Sequence, residues 1–203
     1  MGKRQRSIDR QLGISTSRKV KVETGPGTGP LARVARDYEP TPPEIFEALM
    51  TEVRAPLERL AFVDWGAGKG RVLCLAAGLP FRVVTGIELF RPLAEVAREN
   101  LAALPEGYVR AGRLDCATGD AGAWSPPAGP KVVFGFNPFG PQVLRRALAG
   151  LERERADGAG PPVYLLYYEP VHAALLDALP WLERRATSGH WAVWVSPEVA
   201  QLE

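Results

Sequence analysis

The residues best suited to ligand chemistry form a glycine-rich stretch in which Asp64 precedes Gly66, Gly68 and Gly70 at alternate positions. The stretch follows a short apolar run typical of a buried strand and precedes an apolar run typical of a helix. Glycines accept positive φ and let a ligand approach the backbone closely. The free N–H groups that open a helix favour an electronegative ligand group. The pattern therefore predicts a nucleotide-like ligand at this turn.

The spacing of the glycines separates two classes of cofactor. A dinucleotide fingerprint reads Gly-x-Gly-x-x-Gly, whereas Gly70 arrives one residue early. The carboxylate of Asp64 would repel a pyrophosphate and attract a ligand that carries a free ammonium group and a sulfonium. The motif resembles the first motif of class I S-adenosylmethionine (SAM)-dependent methyltransferases, and the resemblance implies SAM as the cofactor.

Acidic residues follow the next two predicted strands. Glu88 lies one helix and one strand after Asp64, so both carboxylates should lie at the carboxyl edge of neighbouring parallel strands. Glu88 could there accept hydrogen bonds from two ribose hydroxyls; the alternative is a surface acid at a strand end. In the following segment the family resemblance implies that Asp120 accepts the adenine amino hydrogens and that the amide of Ala121 meets a ring nitrogen.

The segment Asn137-Pro138-Phe139 follows a nearly all-apolar strand, as expected at the centre of a parallel sheet. Asn137 could accept a hydrogen bond from a target amine, and Phe139 could pack on a planar substrate or on the methyl donor. The segment resembles the Asn-Pro-Pro-aromatic motif of amino-methylating enzymes, from which it departs by having one proline before the aromatic residue. The alternative is a turn that only starts the next helix.

Tyr38 lies just before a predicted helix. Thr41 as N-cap, Pro42 at the first helical position and Glu44 three residues after Thr41 predict a capping box. The same segment resembles the cofactor lid of some small methyltransferases, in which case Tyr38 would close over the acceptor. The sequence leaves both readings open.

Residues 1–36 carry nine Lys or Arg and two Asp or Glu, with few large apolar residues. This composition predicts a flexible basic arm and linker, with the folded domain over residues 37–203. The arm would be either a solvated tail or a contact for an acidic partner such as nucleic acid.

Composition also limits the setting of the protein. No apolar run is long enough to span a bilayer, and the N-terminus leads into no signal segment. Cys74 and Cys116 lie in apolar patterns, which suits a reducing cytoplasm. His172 and His190 have no partners at metal-ligand spacing, so no metal site is predicted.

Predicted strands and helices alternate five times and finish in a strand-rich end, which indicates an α/β doubly wound sheet. The motifs resemble the class I methyltransferase fold, a mostly parallel seven-stranded sheet with an antiparallel C-terminal edge. They are most similar to small bacterial enzymes of the non-SET protein-lysine methyltransferase type. The resemblance implies SAM-dependent methyl transfer to an amine of a protein or other macromolecule, with Asn137, Phe139 and Tyr38 as catalytic candidates. The alternatives are an RNA or DNA methyltransferase that uses the basic arm, a non-catalytic SAM-binding protein, and an NAD-type enzyme.

Overall fold

The computed structural model describes residues 8–21, 37–155 and 159–203. Its strands are β1 (Ala61–Trp65), β2 (Val83–Glu88), β3 (Leu114–Thr118), β4 (Lys131–Phe136), β5 (Val163–Tyr168), β6 (Glu183–Thr187) and β7 (Trp191–Val195). Its helices are α1 (Pro43–Met50), α2 (Arg71–Ala77), α3 (Arg91–Ala102), α4 (Pro141–Glu152) and α5 (Ala173–Asp177), with 3-10 turns at Leu57–Arg59 and Pro197–Gln201. Residues 8–12 are also helical.

All seven strands form one sheet in the order β3-β2-β1-β4-β5-β7-β6. The strands from β3 to β5 pair in parallel, and β7 lies antiparallel between β5 and β6. Strands β1 and β5 are buried at every residue, as central strands covered on both faces must be. The predicted doubly wound sheet with an antiparallel C-terminal edge is confirmed.

Helices cover both faces of the sheet. Leu73 of α2 and Ala94 of α3 belong to one apolar cluster, and Leu148 of α4 belongs to the other. Successive residues of β1 divide between them, Phe62 in the first cluster and Val63 in the second. The chain leaves β1 toward β2 on one side and reaches β4 on the other, so a crevice opens at the carboxyl ends of β1 and β4, where such sheets bind ligands.

The N-terminal segment, residues 8–21, corrects the predicted flexible arm. Leu12 and Ile14 are buried in the core, and Thr16 is fully buried. Val20 pairs antiparallel with Tyr38 through two backbone hydrogen bonds of 3.1 and 2.9 Å. A few apolar anchors and a set of buried hydrogen bonds therefore hold a segment whose overall composition is that of a tail. Residues 1–7 and 22–36, the rest of the predicted arm, lie outside the described residues.

The start of α1 also differs from the prediction. Pro42 occupies the N-cap position, and no side chain caps the helix. Because Pro43 forces the residue before it out of the helical region, Pro42 is extended, with a ψ of 133°. Thr41 is thereby displaced one residue from the cap, and the predicted capping box is wrong.

No helix within residues 8–21, 37–155 and 159–203 is long and apolar enough to cross a membrane. Within the same ranges, no three His, Cys, Asp or Glu side chains are grouped to hold a metal ion.

Candidate functional site

A cavity of about 390 Å³ opens at the carboxyl edge of the sheet. This volume lies within the range of small-molecule sites. Nine of the ten predicted site residues line the cavity, namely Tyr38, Asp64, Gly66, Gly68, Glu88, Asp120, Ala121, Asn137 and Phe139. The topology thus brings together residues that are up to 101 positions apart in sequence.

Two glycines of the turn pack closely against neighbouring side chains, Gly68 against Tyr38 and Gly70 against Ala97. Gly68 has a φ of +54°, and a Cβ at this position would lie 2.3 Å from Cδ2 of Tyr38. Gly70 has a φ of +77°, and a Cβ there would lie 2.9 Å from Cβ of Ala97 on α3. Gly68 therefore faces the cavity beneath Tyr38, whereas Gly70 supports the turn from behind, outside the cavity lining.

Tyr38 lies over the turn as a packed ring. Its hydroxyl donates a 2.8 Å hydrogen bond to the carbonyl oxygen of Thr16, and the Lys69 ammonium is 5.4 Å from its ring centroid. Burial raises the pKa of Tyr38 well above its ordinary value, so the phenol does not exchange protons near neutral pH. This placement agrees with a lid and gives Tyr38 no acid–base role.

Asp64 and Glu88 are two buried carboxyl groups on adjacent strands. Glu88 accepts a 2.8 Å hydrogen bond from the amide of Gly68 and a 2.9 Å bond from the amide of Phe90. Burial raises the pKa of Glu88. The pKa of Asp64 is raised well above its usual range, mainly by burial and in addition by the charge of Glu88. The glycine turn is therefore tied to β2, and Asp64 gains most from a ligand that brings positive charge.

Asp120 is held from two sides. Its carboxylate accepts a 2.9 Å hydrogen bond from the amide of Gly122 and forms a 2.9 Å ion pair with Arg146 of α4. These contacts orient the carboxylate at the rim of the cavity beside Ala121. The sequence did not reveal the Arg146 contact, because that residue lies on an otherwise ordinary solvent-facing helix surface.

Asn137 ends β4 in an unusual conformation. It is buried, has a φ of +36°, and donates its amide hydrogen to the carbonyl of Tyr168 at 3.0 Å. The Tyr167 hydroxyl donates to its Oδ1 at 3.3 Å. Backbone strain of this kind persists only where neighbours over-determine it, and it concentrates at functional sites. Phe139 lies against Trp65 with ring centroids 6.1 Å apart, completing this part of the wall.

Sequence reasoning missed Glu169 as a member of the site. It follows β5, lines the cavity and has a φ of +48°. Because Phe136 and Tyr168 are paired in register, Asn137 and Glu169 lie side by side at the next position. The rings of Phe136 and Tyr168 pack against each other at 4.3 Å between centroids, with their planes tilted by 43°. The available signal was the acid at the end of a strand next to β4, where a site residue is expected.

Arg71 was also missed as a site residue. It is the first residue of α2, is 1% exposed and lines the cavity. A cation at a helix N-terminus opposes the helix dipole, and arginine is seldom buried without partners. An arginine at the start of a predicted helix was therefore the signal in the sequence that could have identified Arg71 as a site residue.

Comparison with known proteins gives fold-level matches. No family model and no curated protein matches the sequence. Among solved structures, the methyltransferase candidate YhhF from Escherichia coli is 18% identical with a TM-score of 0.57, covering 88% of this chain and 98% of that one. A TehB-like SAM-dependent methyltransferase from Corynebacterium glutamicum is 17% identical with a TM-score of 0.52, covering 75% of this chain and 86% of that one. An RNA methyltransferase from Salinibacter ruber, solved with S-adenosyl-L-homocysteine, is 22% identical with a TM-score of 0.50. The match covers 78% of this chain and 94% of that one.

The sheet order and these matches agree. The chain has the class I SAM-dependent methyltransferase fold.

Proposed function

We propose that this protein is a SAM-dependent methyltransferase that transfers a methyl group to an amine of a protein or other macromolecule. One observation carries the proposal, the order of polar groups around a single cavity. Asp120, Glu88, Asp64 and Asn137 lie at or just beyond the carboxyl ends of β3, β2, β1 and β4, which are adjacent in that order. A fold alone does not define a reaction, so the proposal rests on these groups.

The residues at the β1–β3 side fit the parts of SAM. The buried carboxyl group of Asp64 suits an ammonium group, and any Cβ at Gly68 would collide with the Tyr38 ring that covers the turn. Each carboxylate oxygen of Glu88 accepts one backbone N–H and keeps a second lone-pair site for a ribose hydroxyl. Asp120, with Ala121, would take the adenine ring. When bound, SAM would supply a methyl group activated by its sulfonium.

Exposed acidic residues of the cavity lining favour a cationic acceptor. Glu169 follows β5, and Asp37 and Glu39 lie on either side of Tyr38; all three are exposed and line the cavity. Glu39 already pairs with the ammonium group of Lys19 from the N-terminal segment. Such a rim attracts an amine-bearing side chain and repels a phosphate backbone, which supports an amine of a protein over RNA or DNA.

The chain's own residues would act mainly by alignment. Asn137 is fixed by its bonds to Tyr167 and Tyr168, so its amide oxygen can hold an amine hydrogen in one direction. Phe139 would pack beside the reacting groups. Glu169, adjacent to Asn137, would attract the acceptor ammonium, which passes its proton to solvent before it accepts the methyl group.

The test is transfer of radiolabelled methyl from SAM into protein, RNA and small-molecule fractions of a cell lysate. We expect label in the protein fraction with the unmodified protein and a strong loss of label with Asn137→Gly. Label confined to RNA would establish the nucleic-acid alternative. Binding of SAM without transfer into any fraction would indicate a non-catalytic binder, and a thermal shift with NAD but not with SAM would overturn the cofactor.

A further inference from the structure

Arg71 has a hydrogen-bonding capacity that the chain does not use fully. Its Nε donates to Oγ1 of Thr16 at 2.7 Å, and its Nη2 donates to Oδ1 of Asp9 and Oγ of Ser17, each at 2.8 Å. Its Nη1 is buried and has no acceptor among the described residues. Leaving a buried charged donor unsatisfied is costly, so this atom needs an explanation.

The N-terminal segment builds the holder of this guanidinium group. The Asp9 carboxylate accepts from the amide and hydroxyl of Thr16, at 2.8 and 2.7 Å, and from the amide of Ser17 at 2.7 Å. The amide of Ser15 donates to Oδ1 of Asn100 at 2.8 Å, and Nδ2 of Asn100 donates to the carbonyl of Lys69 at 2.8 Å. The segment is therefore bonded both to Arg71 and, through Asn100, to the glycine turn.

The cavity next to Arg71 carries the opposite charge as well. Arg71 and Asp64 are both buried, and both line the cavity together with Tyr38, which lies on the turn. A buried guanidinium and a buried carboxyl group that line the same cavity form the complement of a zwitterion. An α-amino acid group, with one ammonium and one carboxylate, has this charge pattern, and arginine binds carboxylates through directed N–H donors.

We propose that Arg71 binds the carboxylate of the cofactor's amino-acid group, and that Asp9, Thr16 and Ser17 of the N-terminal segment position it for this contact. The inference rests on the proposed function only in taking SAM as the ligand. It makes residues 9–17 part of the cofactor site, although they lie far from the glycine motif in sequence.

The test compares two ligands by calorimetry, S-adenosylhomocysteine, which has the amino-acid group, and 5′-methylthioadenosine, which lacks it. We expect Arg71→Met to weaken binding of S-adenosylhomocysteine by about 30-fold and binding of 5′-methylthioadenosine by less than about 3-fold. Asp9→Asn should show the same selectivity with a loss of about 5-fold. Arg91→Met, an exposed arginine outside the cavity lining, is the matched control and should change neither affinity.

A ligand-side measurement on the unmodified protein avoids any folding defect of the variants. Decarboxylated S-adenosylmethionine should bind about 30-fold more weakly than SAM. Two results would overturn the role of Arg71 and leave the proposed function intact. One is equal affinity of the unmodified protein for SAM and decarboxylated S-adenosylmethionine. The other is an equal loss of affinity for S-adenosylhomocysteine and 5′-methylthioadenosine in Arg71→Met. Failure of the unmodified protein to bind any of these ligands would overturn both.

Discussion

Around β1 and β2 the cavity wall consists of buried groups that bond to one another, whereas around β4 and β5 it consists of aromatic rings and exposed carboxylates. At the first end Glu88 binds the amide of Gly68, and Tyr38 covers the turn. At the second end Glu169 faces solvent beside the buried Asn137. The first end is preorganised for one ligand shape. The second end selects its ligand by charge and by the direction of the hydrogen bond that Asn137 can accept. Changes at the first end should therefore affect cofactor binding, and changes at the second should affect turnover.

The largest expected effect is at the glycine turn. Gly68→Ala adds a Cβ 2.3 Å from the Tyr38 ring at a positive φ, so the ring or the turn must move. We expect calorimetry to show a loss of about 100-fold in affinity for S-adenosylhomocysteine. Gly189→Ala, with no atom within 4 Å of the added Cβ, is the control. Affinity within about 3-fold of the unmodified protein would show that the turn does not hold the cofactor.

Asn137→Gly tests the other end. Glycine adopts the positive φ at this position without backbone strain, and the substitution removes only the side-chain amide. We expect the rate of methyl transfer to fall by about 30-fold, while the dissociation constant for S-adenosylhomocysteine changes by less than about 3-fold. A parallel loss of binding and rate would mean that the two ends are not separate in function.

Asp64→Asn should separate stability from binding. Because the pKa of Asp64 is raised, the folded protein holds this proton more tightly than the unfolded chain, and the cofactor-free protein loses stability as the pH rises through the folded-state pKa. The variant escapes this loss, so its melting temperature at pH 8 should exceed that of the unmodified protein, by on the order of 1 kcal/mol in stability. The gain should shrink as the pH falls toward the ordinary value of 3.8.

The same variant should bind SAM about 10-fold more weakly, because asparagine offers no charge to the cofactor's ammonium group. Thermal denaturation and calorimetry on one preparation measure both effects. A variant that is less stable at pH 8 and binds SAM normally would contradict the role given to Asp64.

The smallest expected effect is at the acidic rim. Glu169→Gln removes one exposed charge, so kcat/KM for a cationic acceptor should fall by about 5-fold at low salt and by less at high salt. Affinity for S-adenosylhomocysteine should not change. An unchanged kcat/KM at every salt concentration would show that Glu169 does not attract the acceptor.

Local patterns predicted the strands and the cofactor edge well. The apolar run of β5, Val163–Tyr168, and the helix that ends at Ala77 have the predicted bounds. Asp64, Glu88 and Asn137 meet at one edge because strand-end positions of a parallel sheet converge whatever their separation in sequence. These inferences needed only periodicity, turn residues and topology.

The features that escaped prediction depend on pairs of distant residues. The N-terminal segment is fixed by Asp9 bonding to Arg71, 62 positions away, and composition cannot reveal such a pairing. The capping box failed because consecutive prolines moved the helix start by one residue. Glu169 and Arg71 belong to the site through strand register and a buried hydrogen-bond network, which only three-dimensional placement shows.

The most direct test of the two-ended cavity is a crystal structure of the protein with S-adenosylhomocysteine. We expect the amino-acid group to lie between Asp64 and Arg71, the ribose at Glu88, the adenine at Asp120 and Ala121, and the sulfur to point toward Asn137. A ligand bound in the opposite direction, or bound outside this cavity, would contradict this arrangement.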